Sequence, residues 1–350
     1  MKKKAIITGI NGQDGPYLGK FLLDKSYKVY GLIQRHSNPN FENLEFLNIK
    51  NDIDLIVGDI TDENCLSRLI QKIKPHEFYN LAAQSFVGKS WDLSKSTTEV
   101  NAIGVLNILN AIRNNYKYTR FYQASTSEIF GNSKDLIQTE TTPFTPTSPY
   151  AVSKLYAYWM SVNYKDSFNM FCSNGILFNH ESPIRGLEFV TRKITDGVSK
   201  IKLGLQNEIK LGNLKVKRDW GFAGDYVEAM WMMLQKDKPS NYVIATGKQH
   251  SIEDLIKLAF ERVNIKNWKN FIKIDNKFIR PTDVNSLCGD YSKAKKELGW
   301  SPKTEFSELV GMMVDADLKR NKLNIKKSDI KQRTQIFKFV KKRKSLKDIA

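Results

Sequence analysis

Cysteine and histidine are scarce in this chain of 350 residues. The three cysteines, Cys65, Cys172 and Cys288, are odd in number and far apart, which excludes a disulfide framework and a cysteine-based metal site. The four histidines, at positions 36, 76, 180 and 250, do not lie at metal-ligand spacing from one another. The sequence therefore favours reduced thiols and catalysis without a metal ion.

Long apolar runs are also lacking. No stretch approaches the roughly 18 apolar residues that a membrane-spanning helix requires. Residues 1–4 (MKKK) lead into a short apolar run that has no small-residue cleavage site. We therefore expect a cytoplasmic protein without a membrane span.

Acidic residues are outnumbered by basic ones, and the net charge is +18. Residues 319–350 contain 13 Lys or Arg and two Asp, so this stretch carries +11 and the rest of the chain +7. Such an extension either contacts a polyanionic partner, a nucleic acid or a membrane surface, or is a solvated helical or disordered tail; the second interpretation is favoured. The +7 on the remaining chain suits an anionic ligand.

Short β-branched runs alternate with helical patterns over the first 180 residues, which is typical of parallel βαβ units. Between the fourth and fifth run, apolar residues recur at helical spacing from Val100 to Ile112. The pattern predicts an α/β protein with a Rossmann-like, doubly wound parallel sheet. Its strands are expected at Lys4–Thr8, Lys28–Ile33, Asp54–Val57, Glu77–Asn80, Arg120–Ala124 and 170–177.

The pattern becomes less regular after about residue 184. Helices are predicted at 189–203, 226–235 and 252–263, the last preceded by Ser251 and Asp254 as a capping pair. We expect a smaller C-terminal α/β lobe that closes over a substrate. The predicted organisation is a Rossmann domain over residues 1–180, to which later segments return, a mainly substrate-binding lobe over 181–318, and a basic extension over 319–350.

Three glycines follow the first predicted strand in the segment TGINGQDG, residues 8–15. Glycine at a strand-to-helix turn permits a tight bend and lets the backbone approach a pyrophosphate at the positive end of the helix. The G-x-x-G-x-x-G spacing is the variant found in relatives of the short-chain dehydrogenases. We predict dinucleotide binding, with contacts from Gly9, Asn11, Gly12, Gln13, Asp14 and Gly15.

The end of the second predicted strand distinguishes the two nicotinamide dinucleotides. It lacks the carboxylate that binds an unmodified ribose and offers Arg35, whose guanidinium can pair with a 2′-phosphate. The sequence therefore favours NADP over NAD. Asp59 and the adjacent Ile60, just after the third strand, are expected at the adenine, although Asp59 could equally cap a helix that starts near Thr61.

Tyr150 and Lys154 are four residues apart on a predicted helix and so project from one face. We expect the Lys154 ammonium, together with the cationic nicotinamide ring, to lower the pKa of the Tyr150 phenol from about 10 toward neutrality. Tyr150 would then take a hydroxyl proton while hydride leaves the same carbon. The alternative is an ordinary exposed pair.

The segment Ser125-Thr126-Ser127-Glu128 ends the fifth predicted strand, where the ligand crevice of an open α/β sheet lies. Thr126 can hydrogen-bond the reacting hydroxyl beside Tyr150. Glu128 can remove an acidified proton next to a ketone and then protonate a leaving hydroxyl, which is elimination of water rather than simple oxidation. The alternative for Glu128 is a salt-bridged carboxylate at a strand end.

Six ordered blocks carry a resemblance to the GDP-mannose 4,6-dehydratases of the extended short-chain dehydrogenase/reductase superfamily, over residues 4–318. They are TGINGQDG (8–15), YNLAAQS (79–85), FYQASTSE (121–128), GILFNHESP (175–183), FVTRK (189–193) and KRDWG (217–221). The resemblance implies a redox-neutral cycle with tightly held NADP. GDP-D-mannose would be oxidised at C4, would lose water across C5 and C6, and would regain hydride at C6, giving GDP-4-dehydro-6-deoxy-D-mannose.

The resemblance also assigns binding residues and a homodimeric or homotetrameric state. It implies that Leu81, Ala82, Ala83, Gln84, Ser85, Tyr150, Lys154, His180 and Arg185 contact the cofactor. It implies that Ser85, Thr126, Ser127, Glu128, Asn179, Lys193, Arg218, Arg280 and Asp283 contact the nucleotide sugar. This sequence departs from the family at Asp283, where Glu is more frequent, and at Gln34 and His36 beside Arg35.

Other functions remain open at this stage. The same chemistry could act on a GDP-manno-heptose, which needs a roomier pocket. A 4-epimerase or 4-ketoreductase would use the same fold, although neither needs an elimination base such as Glu128. A non-catalytic nucleotide-sugar or RNA-binding protein is the alternative outside enzymes.

Overall fold

The computed structural model describes residues 2–278 and 286–347, with side chains up to residue 326. The helices are α1 Asp14–Asp24, α2 Glu42–Phe46, α3 Glu63–Ile73, α4 Ser94–Thr98, α5 Gly104–Asn115, α6 Pro149–Phe168, α7 Val190–Lys202, α8 Ala223–Gln235, α9 Ile252–Arg262, α10 Ser292–Leu298 and α11 Phe306–Lys347. The strands are β1 Lys4–Thr8, β2 Lys28–Ile33, β3 Asp54–Val57, β4 Glu77–Asn80, β5 Arg120–Ala124, β6 Cys172–Leu177, β7 Asn179–Glu181, β8 Ile209–Leu211, β9 Lys217–Phe222, β10 Tyr242–Ile244, β11 Gln249–Ser251, β12 Ile272–Ile274 and β13 Ser286–Leu287.

Seven parallel strands form the main sheet in the order β10-β6-β5-β4-β1-β2-β3. The chain leaves β1 toward β3 on one side and continues from β4 on the other, so β1 and β4 flank the topological switch point. Ligands of such sheets bind at the carboxyl ends of the strands next to that point. The predicted Rossmann-like, doubly wound fold is confirmed.

Both faces of the main sheet are covered by helices, which explains the continuous apolar runs of its strands. In β1, Ala5, Ile6 and Ile7 are fully buried. Ile7 belongs to the core on one face, with Leu18 of α1, whereas Ile6 belongs to the core on the other face, with Ile108 of α5. The site at the carboxyl end of β1 therefore stands on a sheet that is packed on both sides.

Five of the six predicted strands have the expected bounds. The sixth begins at Cys172 rather than at residue 170, because α6 ends at Asn169 in a left-handed conformation and the chain turns there. The prediction missed β10, whose three residues give too short an apolar run to be recognised. This strand returns from the later part of the chain and pairs with β6.

The second half of the chain builds the smaller lobe. Strands β7, β9, β11 and β13 form one sheet, and β8 pairs with β12 in another. The helices α7, α9 and α11 pack around a separate core that includes Val198, Trp220, Phe260 and Val310. The predicted capping pair is confirmed: Ser251 Oγ accepts a hydrogen bond from the Asp254 amide, and the Asp254 carboxylate accepts one from the Ser251 amide.

Helix α11 runs without a break through residue 319, where we placed the start of the basic extension. Asn321 is still 94% buried by contact with the lobe, and its side chain donates to Ser199 Oγ at 2.5 Å and Asp196 Oδ1 at 3.0 Å. The packed part of α11 therefore includes the first residues of the extension. Among the described helices, none is both long and apolar enough for a bilayer crossing.

Candidate active site

A cavity of about 990 Å³ opens at the carboxyl ends of β1, β4, β5 and β6 and extends under the smaller lobe. The two parts of the molecule contribute different groups. The main sheet supplies the glycine-rich turn after β1 and the polar residues after β5, and the lobe supplies Lys193 and Arg218. We call this space the cavity.

The cavity brings together most of the residues singled out from the sequence. Those that line it are Gly9, Asn11, Gly12, Gln13, Asp14, Gly15, Asp59, Ile60, Leu81, Ala82, Ala83, Ser85, Thr126, Ser127, Glu128, Tyr150, Lys154, Asn179, His180, Arg185, Lys193 and Arg218. Arg35 and Gln84 are not part of its lining: Arg35 is exposed, and the Gln84 backbone is held by Asn101. Arg280 and Asp283 lie outside the described residues.

Two glycine positions of the turn have no space for a Cβ atom. Gly9 has a φ of +68°, and a Cβ there would lie 2.9 Å from the Ala82 amide nitrogen. A Cβ on Gly15 would lie 2.5 Å from the Gly9 carbonyl oxygen. The first turn of α1 also has no side-chain cap. A helix start that is uncapped and faces a cavity through glycines fits a pyrophosphate group.

Asp14 and His180 join the glycine-rich turn to β7. His180 Nε2 lies 2.8 Å from Asp14 Oδ2, His180 Nδ1 lies 2.8 Å from the Phe178 carbonyl oxygen, and the ring stacks on Tyr226. Burial acts to lower the pKa of His180, but the charge and hydrogen bond of Asp14 outweigh burial, so the pKa is raised overall. Burial likewise opposes the negative form of Asp14, but His180 lowers the pKa of Asp14 overall. The pair is therefore an ion pair that connects the two lobes.

Tyr150 and Lys154 lie together on α6, with 8% and 4% of their surfaces exposed, so the alternative of an exposed pair is wrong. The expectation that Lys154 lowers the pKa of Tyr150 is not met by the protein alone. Burial raises the pKa of Tyr150 to about 12, a hydrogen bond with Thr126 opposes this rise, and Glu128 adds to it. Burial also lowers the pKa of Lys154 to about 8.

The position of Lys154 is set by a buried chain of hydrogen bonds that sequence reasoning missed. Lys154 Nζ donates to the Ala124 carbonyl at 2.9 Å, and so does the Gln123 side chain at 3.0 Å. Gln123 accepts from Asn80 Nδ2, and Asn80 Oδ1 accepts from Thr8 Oγ1 at 2.6 Å. The end of the glycine-rich strand is thereby connected to helix α6 across three strands.

A second support that sequence reasoning missed is Asn101. Its side chain donates to the Gln84 carbonyl and to Ser153 Oγ, and Ser153 Oγ donates to the Tyr150 carbonyl. Asn101 is 1% exposed and lies in a π-helical segment, Glu99–Ile103, directly before α5. An asparagine next to an amphipathic apolar stripe was the available signal, because a buried amide needs partners.

Glu128 lies one turn after β5, is half-buried and lines the cavity. Its backbone amide donates to Thr126 Oγ1 at 3.2 Å, which holds the Thr126 hydroxyl next to the Glu128 backbone. Within the described part of the chain, its carboxylate forms no ion pair within 4.0 Å. The alternative of a salt-bridged structural carboxylate is therefore not supported.

The far end of the cavity is cationic and has open hydrogen-bonding capacity. Lys193 Nζ lies 3.3 Å from the centre of the Phe278 ring, and burial lowers its pKa. Arg218 is 7% exposed and lines the same end. Asn179 Oδ1 is buried without a hydrogen-bond partner. Phe278 had no motif to reveal it, since it ends a 3₁₀ turn of only three residues, Asn276–Phe278.

Asp59 does not cap the following helix. It accepts hydrogen bonds from the amide and hydroxyl of Thr61 and from the Gln34 side chain, whereas Asp62 accepts from the Cys65 amide and caps α3. The capping alternative for Asp59 is wrong because α3 starts two residues later than expected. Asp59 stays at the cavity wall beside the end of β2.

The Asp14–His180 pair predicts a specific pH dependence of stability. The raised pKa of His180 contributes stability that is fully present below its ordinary value of 6.5 and is lost as pH rises through the raised value. The lowered pKa of Asp14 contributes stability that is present above 3.8 and is lost as pH falls through the lowered value. We expect His180→Gln to reduce the free energy of unfolding by about 2 kcal/mol near pH 6.

Urea unfolding from pH 5 to 10 measures this difference, which should shrink at high pH as His180 of the wild type loses its proton. His36→Gln, at an exposed histidine, is the control and should show no such dependence. A His180→Gln difference that stays constant across the range would contradict the ion pair.

The chain was compared with known proteins. The sequence profile of the family described as "GDP-mannose 4,6 dehydratase" matches residues 6–313. "GDP-mannose 4,6 dehydratase 1" of Arabidopsis thaliana is 50% identical over 327 residues, which cover 91% of this chain and 90% of the relative. "GDP-mannose 4,6 dehydratase" of Homo sapiens is 46% identical over 344 residues, 91% of this chain and 92% of the relative.

Solved structures confirm the fold. A dTDP-glucose 4,6-dehydratase of Bacillus anthracis in complex with NAD has a TM-score of 0.80 at 20% identity, covering 91% of this chain and 98% of that chain. RMD of Pseudomonas aeruginosa complexed with NADPH has a TM-score of 0.74 at 21% identity, covering 91% and 99%. These structural similarities establish the fold, and the family match over most of the chain establishes family membership. The chain belongs to the GDP-mannose 4,6-dehydratase family.

Proposed function

We propose that this chain converts GDP-D-mannose into GDP-4-dehydro-6-deoxy-D-mannose and that Thr126, Glu128, Tyr150 and Lys154 perform the chemistry. The observation that carries the proposal is the position of Glu128. It is a carboxylate without an ion-pair partner among the described residues, and it lines the same cavity as the Tyr150–Lys154 pair. An epimerase or a ketoreductase has no step that needs this group.

The bound nicotinamide would accept hydride from C4 of the hexose and return it to C6. Tyr150 takes the proton of the 4-hydroxyl, and Thr126 orients that hydroxyl through the same hydrogen-bond network. Because burial alone keeps the phenol protonated, this step requires positive charge nearby. Lys154 supplies part of it, since its Nζ lies 6.0 Å from the centre of the Tyr150 ring, held by the Ala124 carbonyl, and the cationic ring of a bound nicotinamide would supply the rest.

The 4-keto sugar has an acidic proton at C5, and Glu128 removes it. The protonated Glu128 then gives this proton to the departing 6-hydroxyl, which leaves as water. After hydride is restored at C6, C5 takes up the proton that Tyr150 received. The cycle therefore loses one water and leaves the protein in its initial protonation state.

The GDP group would occupy the cationic end of the cavity. Lys193 and Arg218 can neutralise a diphosphate, and the unpartnered Asn179 Oδ1 can accept from a sugar hydroxyl. The resemblance adds Arg280 and Asp283, outside the described residues. The heptose alternative keeps every step and requires only more space beside C6.

The elimination step is tested by Glu128→Gln. We expect the rate of product formation to fall by about 10²–10⁴-fold, because the amide can neither remove the C5 proton nor protonate the leaving group. Oxidation of the sugar at C4, which reduces the nicotinamide, should persist. Absorbance of the reduced nicotinamide in a stopped-flow experiment measures this step. Glu188→Gln, at an exposed carboxylate on the rim of the cavity, is the matched control. Full dehydration by Glu128→Gln would remove the basis of the proposal.

We propose NADP rather than NAD as the cofactor, since no carboxylate follows β2 and Arg35 is exposed beside the cavity. Arg35→Ala should weaken NADP⁺ binding about tenfold, as expected for loss of one charge-assisted contact to the 2′-phosphate, and leave NAD⁺ binding unchanged. Calorimetry on both cofactors measures this. Arg68→Ala, at an exposed arginine on α3, is the control. Equal weakening of both cofactors would argue against a 2′-phosphate contact.

We propose a homodimer or homotetramer that uses the outer face of α6. Val152, Tyr156 and Trp159 recur there at helical spacing with 39–55% of their surfaces exposed, next to exposed Ile103.

We also propose that the basic extension, residues 319–350, contacts polyanions through the helix beyond residue 326. Sedimentation of the full chain and of a chain ending at Lys326, with and without heparin, tests both. We expect the same oligomer from both chains, and a monomer would contradict the first proposal. We expect salt-sensitive heparin binding by the full chain only, and equal binding by both chains would contradict the second.

The cytoplasmic location expected from the sequence stays a prediction, which cell fractionation can test. The three cysteines are unpaired in the structure, as expected.

A further inference from the structure

Asp317 is a fully buried carboxylate in the first half of α11, more than 120 residues after the loop that follows β7. Its Oδ1 accepts from Arg192 Nε at 2.7 Å and from Arg320 Nη1 at 2.8 Å, and its Oδ2 accepts from Thr195 Oγ1 at 2.7 Å. Burial raises its pKa, whereas the charges of Arg192 and Arg320 and the Thr195 hydrogen bond lower it. A charge placed so deeply needs this complete set of partners.

The two arginines that donate hydrogen bonds to Asp317 also donate hydrogen bonds to the loop between β7 and α7. Arg192 Nη1 donates to the Arg185 carbonyl at 2.7 Å, and Arg320 Nη2 donates to the Pro183 carbonyl at 2.5 Å. Through Arg192 and Arg320, Asp317 thus fixes two backbone positions of residues 182–189. This loop forms one wall of the cavity, where Arg185 and Phe189 line it.

The side chain of Arg185 is on the cavity side of that loop. Its guanidinium lies 3.5 Å from the centre of the Phe189 ring, and its Nε lies 3.0 Å from Glu181 Oε2 without forming a hydrogen bond. Thr191 Oγ1 already donates to the same Glu181 oxygen at 2.7 Å. Arg185 also lines the cavity, and the position of its side chain depends on where the loop backbone lies.

The cluster has an excess of positive charge. Arg185, Arg192 and Arg320 face the carboxylates of Glu181 and Asp317, which leaves one net positive charge, and Arg185 is the arginine that lines the cavity. The charges of Arg192 and Arg320 also oppose each other, since Arg192 lowers the pKa of Arg320. The Asp317 charge lies between the two arginines and offsets this repulsion.

Helix α11 also contacts a second part of the cavity lining. Phe306, its first residue, stacks on Trp220 with ring centres 5.6 Å apart and planes 8° apart, and Trp220 lines the cavity. One helix therefore contacts two walls of the same cavity. A buried ion pair on it is weak evidence for stability by itself, because an apolar replacement often packs as well.

We propose that Asp317 is a positioning residue for the cofactor site: through Arg192 and Arg320 it holds the 182–189 loop so that Arg185 points at the anionic dinucleotide. This inference rests on the cofactor role proposed for Arg185. It assigns a function to the first half of α11, which the motifs of the chain do not mark.

The test is a double-mutant cycle on NADP⁺ affinity, measured by calorimetry on the full chain. We expect Asp317→Asn to weaken binding about tenfold, as for coupled residues in one network. Asp315→Asn removes the same charge two residues away, where Asp315 pairs with exposed Arg262, and should bind as the wild type. In the Arg185→Ala background, Asp317→Asn should add less than about a twofold loss, because the residue acts through Arg185.

A merely structural role would give a different pattern. It would lower the melting temperature and weaken binding equally with and without Arg185, and that result would overturn the proposal. Unchanged affinity of Arg185→Ala would also overturn it, while the dehydratase assignment, which product analysis tests, would stand. If Asp317→Asn does not fold, Arg320→Gln keeps the Arg192–Asp317 pair and removes the Arg320 hydrogen bonds to Asp317 and to the Pro183 carbonyl; it should weaken binding about threefold, and wild-type affinity would count against the proposal.

Discussion

The hydrogen bond of 2.9 Å between Lys154 Nζ and the Ala124 carbonyl joins the two elements that carry the proposed chemistry, helix α6 and the end of β5. The same carbonyl accepts from Gln123, and the chain continues through Asn80 to Thr8, next to the glycine-rich turn. Each member is buried and has a partner, which is the condition under which a buried polar network specifies one arrangement. The dinucleotide turn and the proton-transfer residues are thus placed by one set of contacts across three strands.

Burial sets the electrostatics of this site. It raises the pKa of Tyr150 and lowers that of Lys154, so each group is held away from its charged form. A phenol in such surroundings becomes a base only when positive charge comes near. Lys154 Nζ is held 6.0 Å from the centre of the phenol ring, and a bound cofactor with a cationic ring would add the positive charge that this condition requires, so proton removal would depend on cofactor binding.

Much of the site could be predicted because its residues follow strand ends that are visible as apolar runs. Glu128 and Thr126 come directly after β5, and the Tyr150–Lys154 spacing is local. The supports could not be predicted in the same way. Asp317 contacts residues more than 120 positions earlier, and no periodic pattern marks it. The rise in the Tyr150 pKa in the protein without cofactor could not be predicted, since spacing reveals a neighbouring charge but not the depth of burial.

If oxidation, elimination and reduction occur on one sugar in one cavity, hydrogen from C4 of the sugar must reappear at C6. GDP-mannose carrying deuterium at C4, with mass spectrometry and NMR of the product, measures this transfer. We expect a product that has lost one water and carries the deuterium at C6, with no net accumulation of reduced cofactor. A product of unchanged mass, or one whose deuterium is lost or remains at C4, would contradict it.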